Sequence, residues 1–327
     1  MTTATWQQQL RDCITQPSEL IELLGLSQEL SVQAQAALKQ FPLRVPHSFV
    51  ARMKKGDAND PLLRQVLPIA AELEDVEGFT GDPVGDLQAN KLPGLIHKYH
   101  GRVLLTVAGA CGVNCRYCFR REFPYADNNP GRKGWQPVLD YFAADNSIEE
   151  VIYSGGDPLI ANDKQLAELT QQIADIKHIK RLRIHTRMPI VIPERVTDEL
   201  LQWFTGSRLQ PIMVVHCNHA NEIGTNVKAA MESLKQAGVT LLNQSVLLQG
   251  VNDSAEALVN LSQALFDADI LPYYLHLLDK VKGAAHFDVP KAQGVELSKA
   301  IANKLPGYLV PKLVREQEGE LSKIIVR

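Results

Sequence analysis

From residue 102 onward the chain repeats one pattern, in which a short apolar run rich in β-branched residues is followed by a longer segment with helical periodicity. The short runs predict buried strands and the longer segments predict helices. The predicted strands are 103–107, 150–154, 181–186, 211–216, 239–247 and 271–278, and the helical candidates include 163–175, 194–204, 222–236 and 253–268. Such repeated βα units predict a curved parallel sheet or partial barrel, with functional sites at the carboxyl ends of its strands.

Local capping signals support the predicted helices. Asn162 precedes Gln165, and Asp253 precedes Glu256, at the spacing between an N-cap residue and the third residue of a helix. Gly238 follows the third helical candidate, in the position where glycine commonly ends a helix. We therefore expect Asn162 and Asp253 to begin helices and Gly238 to end one.

The patterning predicts three segments. Residues 1–97 form a helical N-terminal segment and a linker, since helix-period apolar residues give way to a stretch rich in Gly and Pro. Residues 98–304 contain the partial barrel, and residues 305–327 predict strands joined by a turn with Glu and Gly. We interpret the first segment as a packing accessory, because no catalytic constellation stands out in it.

Charge and composition limit the classes of partner. A formal net charge of -3 with mixed signs gives no sign of a nucleic-acid-binding surface. No run approaches the roughly 18 apolar residues of a membrane-spanning helix. The first residues lack the charged and then apolar layout of a secretory signal. Among five cysteines, Cys13 and Cys217 are solitary, which does not suit a disulfide scaffold. We expect a cytoplasmic protein without nucleic-acid or membrane partners.

Cys111, Cys115 and Cys118 form a C-x3-C-x2-C motif directly after the first predicted strand. Structural zinc takes four protein ligands, whereas a cubane [4Fe-4S] cluster held by three thiolates leaves its fourth iron free to bind another group. One alternative is a zinc site completed by Cys217 or His219, which lie far along the chain, and another is a disulfide with a spare thiol. We favour the cluster with an open iron.

This cysteine motif, followed by Phe119, Arg120 and Arg121, resembles that of the radical S-adenosylmethionine enzymes. The run 154–157, Ser-Gly-Gly-Asp, resembles the Gly-Gly-Asp/Glu motif with which that superfamily meets the methionine amino group. Glycine suits that position because a ligand must approach the backbone closely. The resemblance implies an α/β fold, a partial (β/α)6 TIM-like barrel, in which the open iron binds S-adenosylmethionine and releases a 5′-deoxyadenosyl radical.

A closer resemblance covers nearly the whole chain. The stretches that carry it are 41–46, 60–68, 99–105, 243–248, 252–253, 272–274 and 283–287. They resemble the lysine 2,3-aminomutases, and within them the short bacterial branch that makes β-lysine for modifying translation elongation factor P. The resemblance implies an isomerase that converts L-α-lysine to β-lysine, with the R form as the expected product, by means of the radical and pyridoxal phosphate.

The resemblance also implies residues for the cofactors. Lys323 matches the lysine that forms the Schiff base with pyridoxal phosphate, and Lys312 is its nearest rival. Tyr99 and Arg102, and with them Lys98, match positions near the cofactor phosphate. The residues assigned to cofactor binding are Tyr99, Arg102, Ser154, Gly155, Gly156, Asp157, Asn243, Gln244 and Lys323.

Three residues match the family's substrate-binding positions. Arg120 matches an arginine that grips the substrate carboxylate through two parallel hydrogen bonds. Asp279 matches one of two aspartates that bind the distal ammonium, and Glu316 stands where the family has the second. The extra methylene of Glu316 alters how substrate sits and supports the short branch.

The implied cofactors are a [4Fe-4S] cluster, S-adenosylmethionine and pyridoxal phosphate. The expected substrate is free lysine, although lysine already attached to elongation factor P is an alternative. A ligase that attaches β-lysine to elongation factor P is the implied downstream partner, and an electron donor such as flavodoxin is the expected reductant. Ser254 stands where the long aminomutases have a zinc-binding cysteine, so we expect no zinc of that kind.

Two other functions stay open at this point. One is a radical aminomutase for another amino acid, such as glutamate or arginine, and the other is a zinc-stabilised binding module without turnover. Asp279 and Glu316 argue against glutamate, because two carboxylates would repel its distal carboxylate.

Overall fold

A computed structural model describes residues 4–128, 131 and 134–327, and its main feature is a sheet of ten strands that lie side by side in chain order. Strands β3 to β9 run parallel, and β1, β2 and β10 pair antiparallel at the two edges. The strands are β1 (Asn90–Leu92), β2 (Leu95–Tyr99), β3 (Arg102–Ala108), β4 (Glu150–Gly155), β5 (Arg181–Thr186), β6 (Gln210–His216), β7 (Thr240–Val246), β8 (Leu271–His276), β9 (Lys312–Arg315) and β10 (Ile324–Ile325).

The six predicted strands are confirmed as β3 to β8, and their bounds agree with the prediction to within two residues at each end. This open parallel sheet is the partial barrel that the repeated βα pattern predicts. The tail strands are also present, and one of them, β9, extends the parallel sheet beside β8. β2 runs across the expected boundary between residues 97 and 98, and the division into three segments stays a prediction.

Helices connect the successive parallel strands and cover the outer face of the sheet. The helices are α1 (Trp6–Arg11), α2 (Pro17–Leu23), α3 (Glu29–Leu38), α4 (His47–Val50), α5 (Trp135–Ala144), α6 (Asp163–Ala174), α7 (Met188–Val191), α8 (Asp198–Thr205), α9 (Thr225–Gln236), α10 (Ala255–Phe266) and α11 (Lys291–Ala302). Of the predicted helices, α8 and α9 begin four and three residues later than expected, because short 3₁₀ turns at Pro193–Arg195 and Ala220–Glu222 precede them.

The capping predictions are confirmed at two positions and wrong at a third. Asn162 caps α6 by accepting a 2.8 Å hydrogen bond from the Lys164 amide, and Gly238 follows α9 with a φ of +87°. Asp253 does not cap α10. Ser254 does, because its extended backbone lets the hydroxyl accept a hydrogen bond from the Ala257 amide at 3.1 Å.

The N-terminal helices pack into the same apolar core as the barrel. Trp6, Leu20 and Phe49 belong to one buried cluster with Leu182 of β5 and Met213 of β6. Each such buried side chain contributes about 1.5–3 kcal/mol relative to exposure. The predicted packing role of this segment is therefore confirmed.

The inner face of the sheet is more polar than its outer face and surrounds a cavity of about 920 Å³. On β5, for example, Ile184 is buried in the core, whereas His185 lines the cavity, because successive side chains of a strand point to opposite faces. In the described part of the chain, none of the helices combines the length and the apolar character needed to cross a membrane.

Candidate active site

The cavity inside the partial barrel brings together fourteen of the fifteen predicted site residues. They are Tyr99, Arg102, Cys111, Cys115, Cys118, Arg120, Ser154, Gly155, Gly156, Asp157, Gln244, Asp279, Glu316 and Lys323. These residues lie on β2, β3, β4 and β7 or in the loops that follow strands. The cavity therefore places the cysteine motif and Lys323, which are 205 or more residues apart, on the walls of one space.

The structure does not bring Asn243 to the cavity, which corrects the expectation that it contacts a cofactor. Its amide oxygen accepts a hydrogen bond from the Cys217 amide at 2.9 Å, and its amide nitrogen donates to the Cys217 carbonyl at 3.1 Å. Alternation along β7 turns Gln244 into the cavity and Asn243 away from it. Asn243 therefore ties β6 to β7.

The two candidate lysines for pyridoxal phosphate have different surroundings. The Lys323 side chain is 21% exposed and lines the cavity. Lys312 is exposed at the start of β9 and does not line the cavity. Of the two, only Lys323 is placed to react with a molecule inside the barrel.

Gly155 and Gly156 hold the chain that leads to the cysteines. A Cβ on Gly155 would lie 2.4 Å from the Ala108 carbonyl oxygen, and one on Gly156 would lie 2.3 Å from that of Ala110. The Gly156 amide donates to the Ala108 carbonyl at 2.8 Å. Close contacts within the protein's own backbone therefore require glycine at both positions. The expected reason was the close approach of a ligand.

The Asp157 carboxylate accepts hydrogen bonds from the protein itself. Its Oδ1 accepts from the Thr186 hydroxyl at 2.7 Å, and its Oδ2 accepts from the Arg187 amide at 2.7 Å and the Met188 amide at 3.1 Å. The side chain thus joins the end of β4 to the end of β5.

The three thiols are free and sit in a site that does not stabilise thiolates by itself. Burial and the neighbouring Cys115 raise the pKa of Cys118 to about 11, and burial and Cys118 raise the pKa of Cys111. Iron ions would supply the missing positive charge and hold these thiols as thiolates. The donor set therefore fits an iron–sulfur cluster.

The zinc alternative lacks support in the described residues. No group of three or more His, Cys, Asp or Glu side chains within them is arranged to hold a single metal ion. Cys217 and His219 do not line the cavity, and the Cys217 thiol donates to the His219 carbonyl oxygen instead. Neither residue is placed to complete a site with the three clustered thiols.

Arg187 braces the cysteine loop from the end of β5. Its Nη1 donates to the Cys115 sulfur and to the Tyr117 hydroxyl, each at 2.7 Å. Its Nη2 donates to Gln65 Oε1 at 2.7 Å and to Glu222 Oε2 at 2.9 Å. A buried guanidinium with these partners fixes the loop in one arrangement.

The N-terminal segment contributes directly to this support, which sequence reasoning missed. The Gln65 carbonyl accepts from the Arg116 amide at 2.9 Å, and the Arg44 carbonyl accepts from the Asn114 amide at 2.9 Å. Glu72 forms a buried ion pair with Arg116 at 2.5 Å. Arg44 and Gln65 belong to stretches that carry the family resemblance, 41–46 and 60–68, but no local signal in these stretches or around Glu72 indicates contact with the cysteine loop.

A chain of alternating charges crosses the cavity wall from Lys323 to Arg120. Glu316 accepts from Lys323 Nζ at 2.6 Å and from Lys98 Nζ at 3.0 Å. Asp86 accepts from Lys98 Nζ at 2.5 Å and from Arg120 Nε at 2.6 Å. Lys98 also donates to the Val84 carbonyl at 2.8 Å, so its three ammonium hydrogens have protein acceptors and none is left for a phosphate.

Two carboxylates near Lys323 have opposite pKa shifts. Burial and the nearby Glu316 raise the pKa of Asp279 to about 7. Burial also disfavours the charged form of Glu316, but Lys323 and Lys98 outweigh it and hold the pKa of Glu316 well below its usual range. This corner of the cavity therefore favours one added positive charge, which would allow both carboxylates to ionise.

Several polar atoms of the cavity wall have no hydrogen-bond partner within the described residues. They are Arg183 Nε, His185 Nε2, Arg187 Nε and His276 Nε2. Burial and Arg187 lower the pKa of His216 to about 3, so this imidazole is neutral near physiological pH. The Arg102 guanidinium lies 4.7 Å from the Tyr99 ring centroid. Unpaired donors and guanidinium groups inside a barrel fit a polar, anionic ligand such as pyridoxal phosphate.

A partial barrel with a C-x3-C-x2-C loop after its first parallel strand, and with three free thiols facing the cavity, defines a radical S-adenosylmethionine enzyme. Residues 100–187 match the family model for a 4Fe-4S single cluster domain. The chain is 53% identical to the L-lysine 2,3-aminomutase of Escherichia coli K12, over 97% of this chain and 93% of that protein. The chain therefore belongs to the L-lysine 2,3-aminomutase family, and it is an isomerase.

Other relatives of the same family extend this comparison. The L-lysine 2,3-aminomutase of Haemophilus influenzae is 49% identical, over 98% of this chain and 95% of that protein. The L-lysine 2,3-aminomutase of Clostridium subterminale is 32% identical, over 96% of this chain and 76% of that protein. The likeness thus includes the N-terminal and tail segments as well as the barrel.

Proposed function

We propose that the protein converts L-α-lysine to β-lysine, in the R form, with pyridoxal phosphate bound to Lys323. The observation that carries the proposal is the 2.6 Å contact between Glu316 and Lys323 in the cavity that also holds the three thiols. A carboxylate that pairs with a lysine ammonium lies there beside a reactive amine and a radical-generating site. Family membership supports lysine as the substrate.

The substrate is held at both ends. Arg120 uses Nε for Asp86 and Nη1 for the Ser154 hydroxyl at 3.2 Å, which leaves Nη2 for the substrate carboxylate in place of the two parallel hydrogen bonds that the resemblance implies. Asp279 and Glu316 receive the distal ammonium, whose charge lowers the pKa of Asp279 from about 7 and ionises it. A glutamate substrate would instead bring a third carboxylate to this corner.

Each cofactor supplies one part of the chemistry. When bound, the cluster with S-adenosylmethionine would supply radical chemistry for removing a hydrogen atom from the substrate β-carbon. Pyridoxal phosphate would supply a carbonyl group for the migrating amino group. Cys111, Cys115 and Cys118 would hold the cluster, while Arg102 and Tyr99 would hold the phosphate.

The protein's own residues orient the reactants. Lys323 would carry pyridoxal phosphate before substrate binds and would be released as a free amine when the substrate amino group takes its place, while the distal ammonium of the substrate would lie next to Glu316. Arg187 and Tyr117 hold the cysteine loop against β5, so the radical forms at a fixed place relative to Arg120. Free lysine suits this site because Arg120 needs a free carboxylate.

We further propose that the β-lysine passes to a ligase that attaches it to elongation factor P, and that a flavodoxin-like donor reduces the cluster. The likeness to the short bacterial branch supports the first of these partners. Glu316, where that family has aspartate in its long members, supports the R product, because a longer carboxylate changes how the substrate ammonium sits.

An anaerobic assay tests the proposal. The protein with its iron, sulfide and pyridoxal phosphate measured is given S-adenosylmethionine, reductant and either lysine, glutamate or arginine, and the products are separated on a chiral column. We expect (R)-β-lysine from lysine alone. Product from glutamate or arginine would favour the other aminomutases, and bound zinc without iron, pyridoxal absorbance or product would favour a binding module.

A second assay tests the lysine assignment. Borohydride reduction followed by peptide mass spectrometry should place pyridoxal phosphate on Lys323, and the Lys323→Ala variant should lose the label. The Lys312→Ala variant is the matched control and should keep it. Label retained on Lys323→Ala would overturn the assignment.

A further inference from the structure

We propose that Asp86 and Lys98 are positioning residues that set the distance between Arg120 and Glu316 and thereby select substrates by chain length. The inference rests on the proposed function, in which Arg120 binds the substrate carboxylate and Glu316 binds its distal ammonium. Neither Asp86 nor Lys98 is assigned a contact with the substrate.

The bridge between the two substrate-binding groups is continuous. Asp86 binds Arg120 Nε through Oδ2 at 2.6 Å and Lys98 Nζ through Oδ1 at 2.5 Å, and Lys98 binds Glu316 Oε1 at 3.0 Å. The side chains of Asp86 and Lys98 are 3% and 15% exposed. Because each contact joins opposite charges out of bulk water, the bridge has one favoured arrangement.

Each end of the bridge has one group that the bridge itself does not use. Arg120 Nη2 has no hydrogen-bond partner among the described residues, while Nε and Nη1 are held by Asp86 and Ser154. At the other end, Lys98 donates to Oε1 of Glu316 and does not contact Oε2. In this structure Oε2 accepts from the ammonium of Lys323. The bridge thus leaves Arg120 Nη2 to the substrate carboxylate, and Glu316 Oε2 would become available to the distal ammonium once Lys323 carries pyridoxal phosphate.

The backbone around Asp86 and the acceptors around Lys98 anchor the bridge to the protein. The Asp86 amide donates to Asp82 Oδ1 at 2.9 Å, and Lys98 donates to the Val84 carbonyl at 2.8 Å. Without the Asp86 carboxylate, Lys98 and Arg120 would be two cations with no common anion between them. Arg120 would keep its contact with Ser154, and Lys98 would keep those with Val84 and Glu316, but no contact would join the two cations, so the spacing between Arg120 and Glu316 would be less firmly fixed.

Binding without turnover provides the test. Protein loaded with cluster, S-adenosylmethionine and pyridoxal phosphate, but given no reductant, is titrated with lysine and with ornithine, which is one methylene shorter, and the change in pyridoxal absorbance gives each Kd. For Asp86→Asn we expect lysine to bind about tenfold or more weakly and the preference for lysine over ornithine to fall by about fivefold. Iron and pyridoxal phosphate contents should stay at the wild-type level.

A second single variant and a double-mutant cycle with Asp86→Asn test whether the two residues act through one bridge. Lys98→Met should give the same changes, and the double variant should add little to either single one, because one bridge is broken in each case. Lys98→Arg, which keeps the charge, should recover most of the preference. Asp163→Asn is the matched control, since Asp163 binds Arg195 Nη2 at 2.7 Å but does not line the cavity.

The outcomes separate this inference from the proposed function. Unchanged lysine affinity and preference in Asp86→Asn and Lys98→Met, additive losses in the double variant, or equal losses in Asp163→Asn would overturn the bridge alone. A wild-type protein that neither binds lysine nor forms β-lysine would overturn the proposed function and the bridge together.

Discussion

Glu316 Oε2 and Lys323 Nζ lie 2.6 Å apart, seven residues from each other along the turn that joins β9 to β10. Lys98 holds the other oxygen of the same carboxylate at 3.0 Å. Despite burial, Lys323 and Lys98 hold the pKa of Glu316 well below its usual range, so the Glu316 carboxylate is ionised near physiological pH. The amine expected to bind the cofactor is thus paired with the group expected to bind the substrate.

Replacement of this carboxylate should weaken substrate binding. In Glu316→Gln the KM for lysine should rise by about tenfold or more, because the distal ammonium loses a charged partner in a largely buried corner. Steady-state assays with lysine measure this effect. Glu316→Asp, which keeps the charge, should lose much less, and equal losses in both variants would show that charge is not what Glu316 supplies.

Asp279 should destabilise the substrate-free protein as pH rises. Folding raises its pKa to about 7, so the folded protein binds a proton that the unfolded chain releases between about pH 4 and pH 7. Stability is therefore lost as pH rises through that window. Thermal unfolding should show a higher midpoint for Asp279→Asn than for wild type near neutral pH and above, with the difference vanishing toward about pH 4.

A matched acid makes that result specific. Asp288 is less deeply buried than Asp279 and lies outside the cavity wall. The Asp288→Asn variant should therefore shift the midpoint of thermal unfolding less across the same pH range. If the difference between Asp279→Asn and wild type stays constant with pH, titration of Asp279 is not its cause.

Gly156→Ala should release the cysteine loop. The added Cβ would lie 2.3 Å from the Ala110 carbonyl oxygen, so the backbone that leads to Cys111 must shift, at a cost of about 1–3 kcal/mol. We expect iron bound per protein to fall after anaerobic reconstitution. Gly307→Ala, where a Cβ meets nothing within 4 Å, should bind iron like wild type.

Gln65→Leu should reveal the contribution of the N-terminal segment. Gln65 is fully buried, and its side chain accepts from Arg187 and Asn218 and donates to Glu222. Loss of these bonds leaves Arg187 less firmly held against Cys115, so cluster iron should leave faster on exposure to a chelator. Gln136→Leu, at an exposed site, is the control, and equal rates would limit Gln65 to a packing role.

The sequence predicted the barrel well because its strands are short, apolar and separated by helices. It placed β3 to β8 within two residues, since buried strands of a parallel sheet carry a strong local pattern. It missed the cap at Ser254 because Asp253 and Ser254 both suit an N-cap, and only the backbone conformation decides between them.

The site was predictable where it depends on motifs and not where it depends on packing. The cysteines, Arg120, Asp279 and Lys323 come from spacing and resemblance, and all line one cavity. The roles of Asp86 and Gln65 were not predicted, although Gln65 lies in the resembling stretch 60–68, because they depend on contacts with residues 34 and 122 positions away. Asn243 was misplaced because the choice of inner face along β7 requires the register of the sheet.

The central claim is that the radical generated at the three cysteines acts on lysine held in the same cavity. Lysine deuterated at the β-carbon, supplied anaerobically with S-adenosylmethionine and reductant, tests it most directly. The account predicts deuterium in the 5′-deoxyadenosine and in the β-lysine, both read by mass spectrometry. Cleavage of S-adenosylmethionine to deuterium-free 5′-deoxyadenosine, with no β-lysine formed, would contradict it.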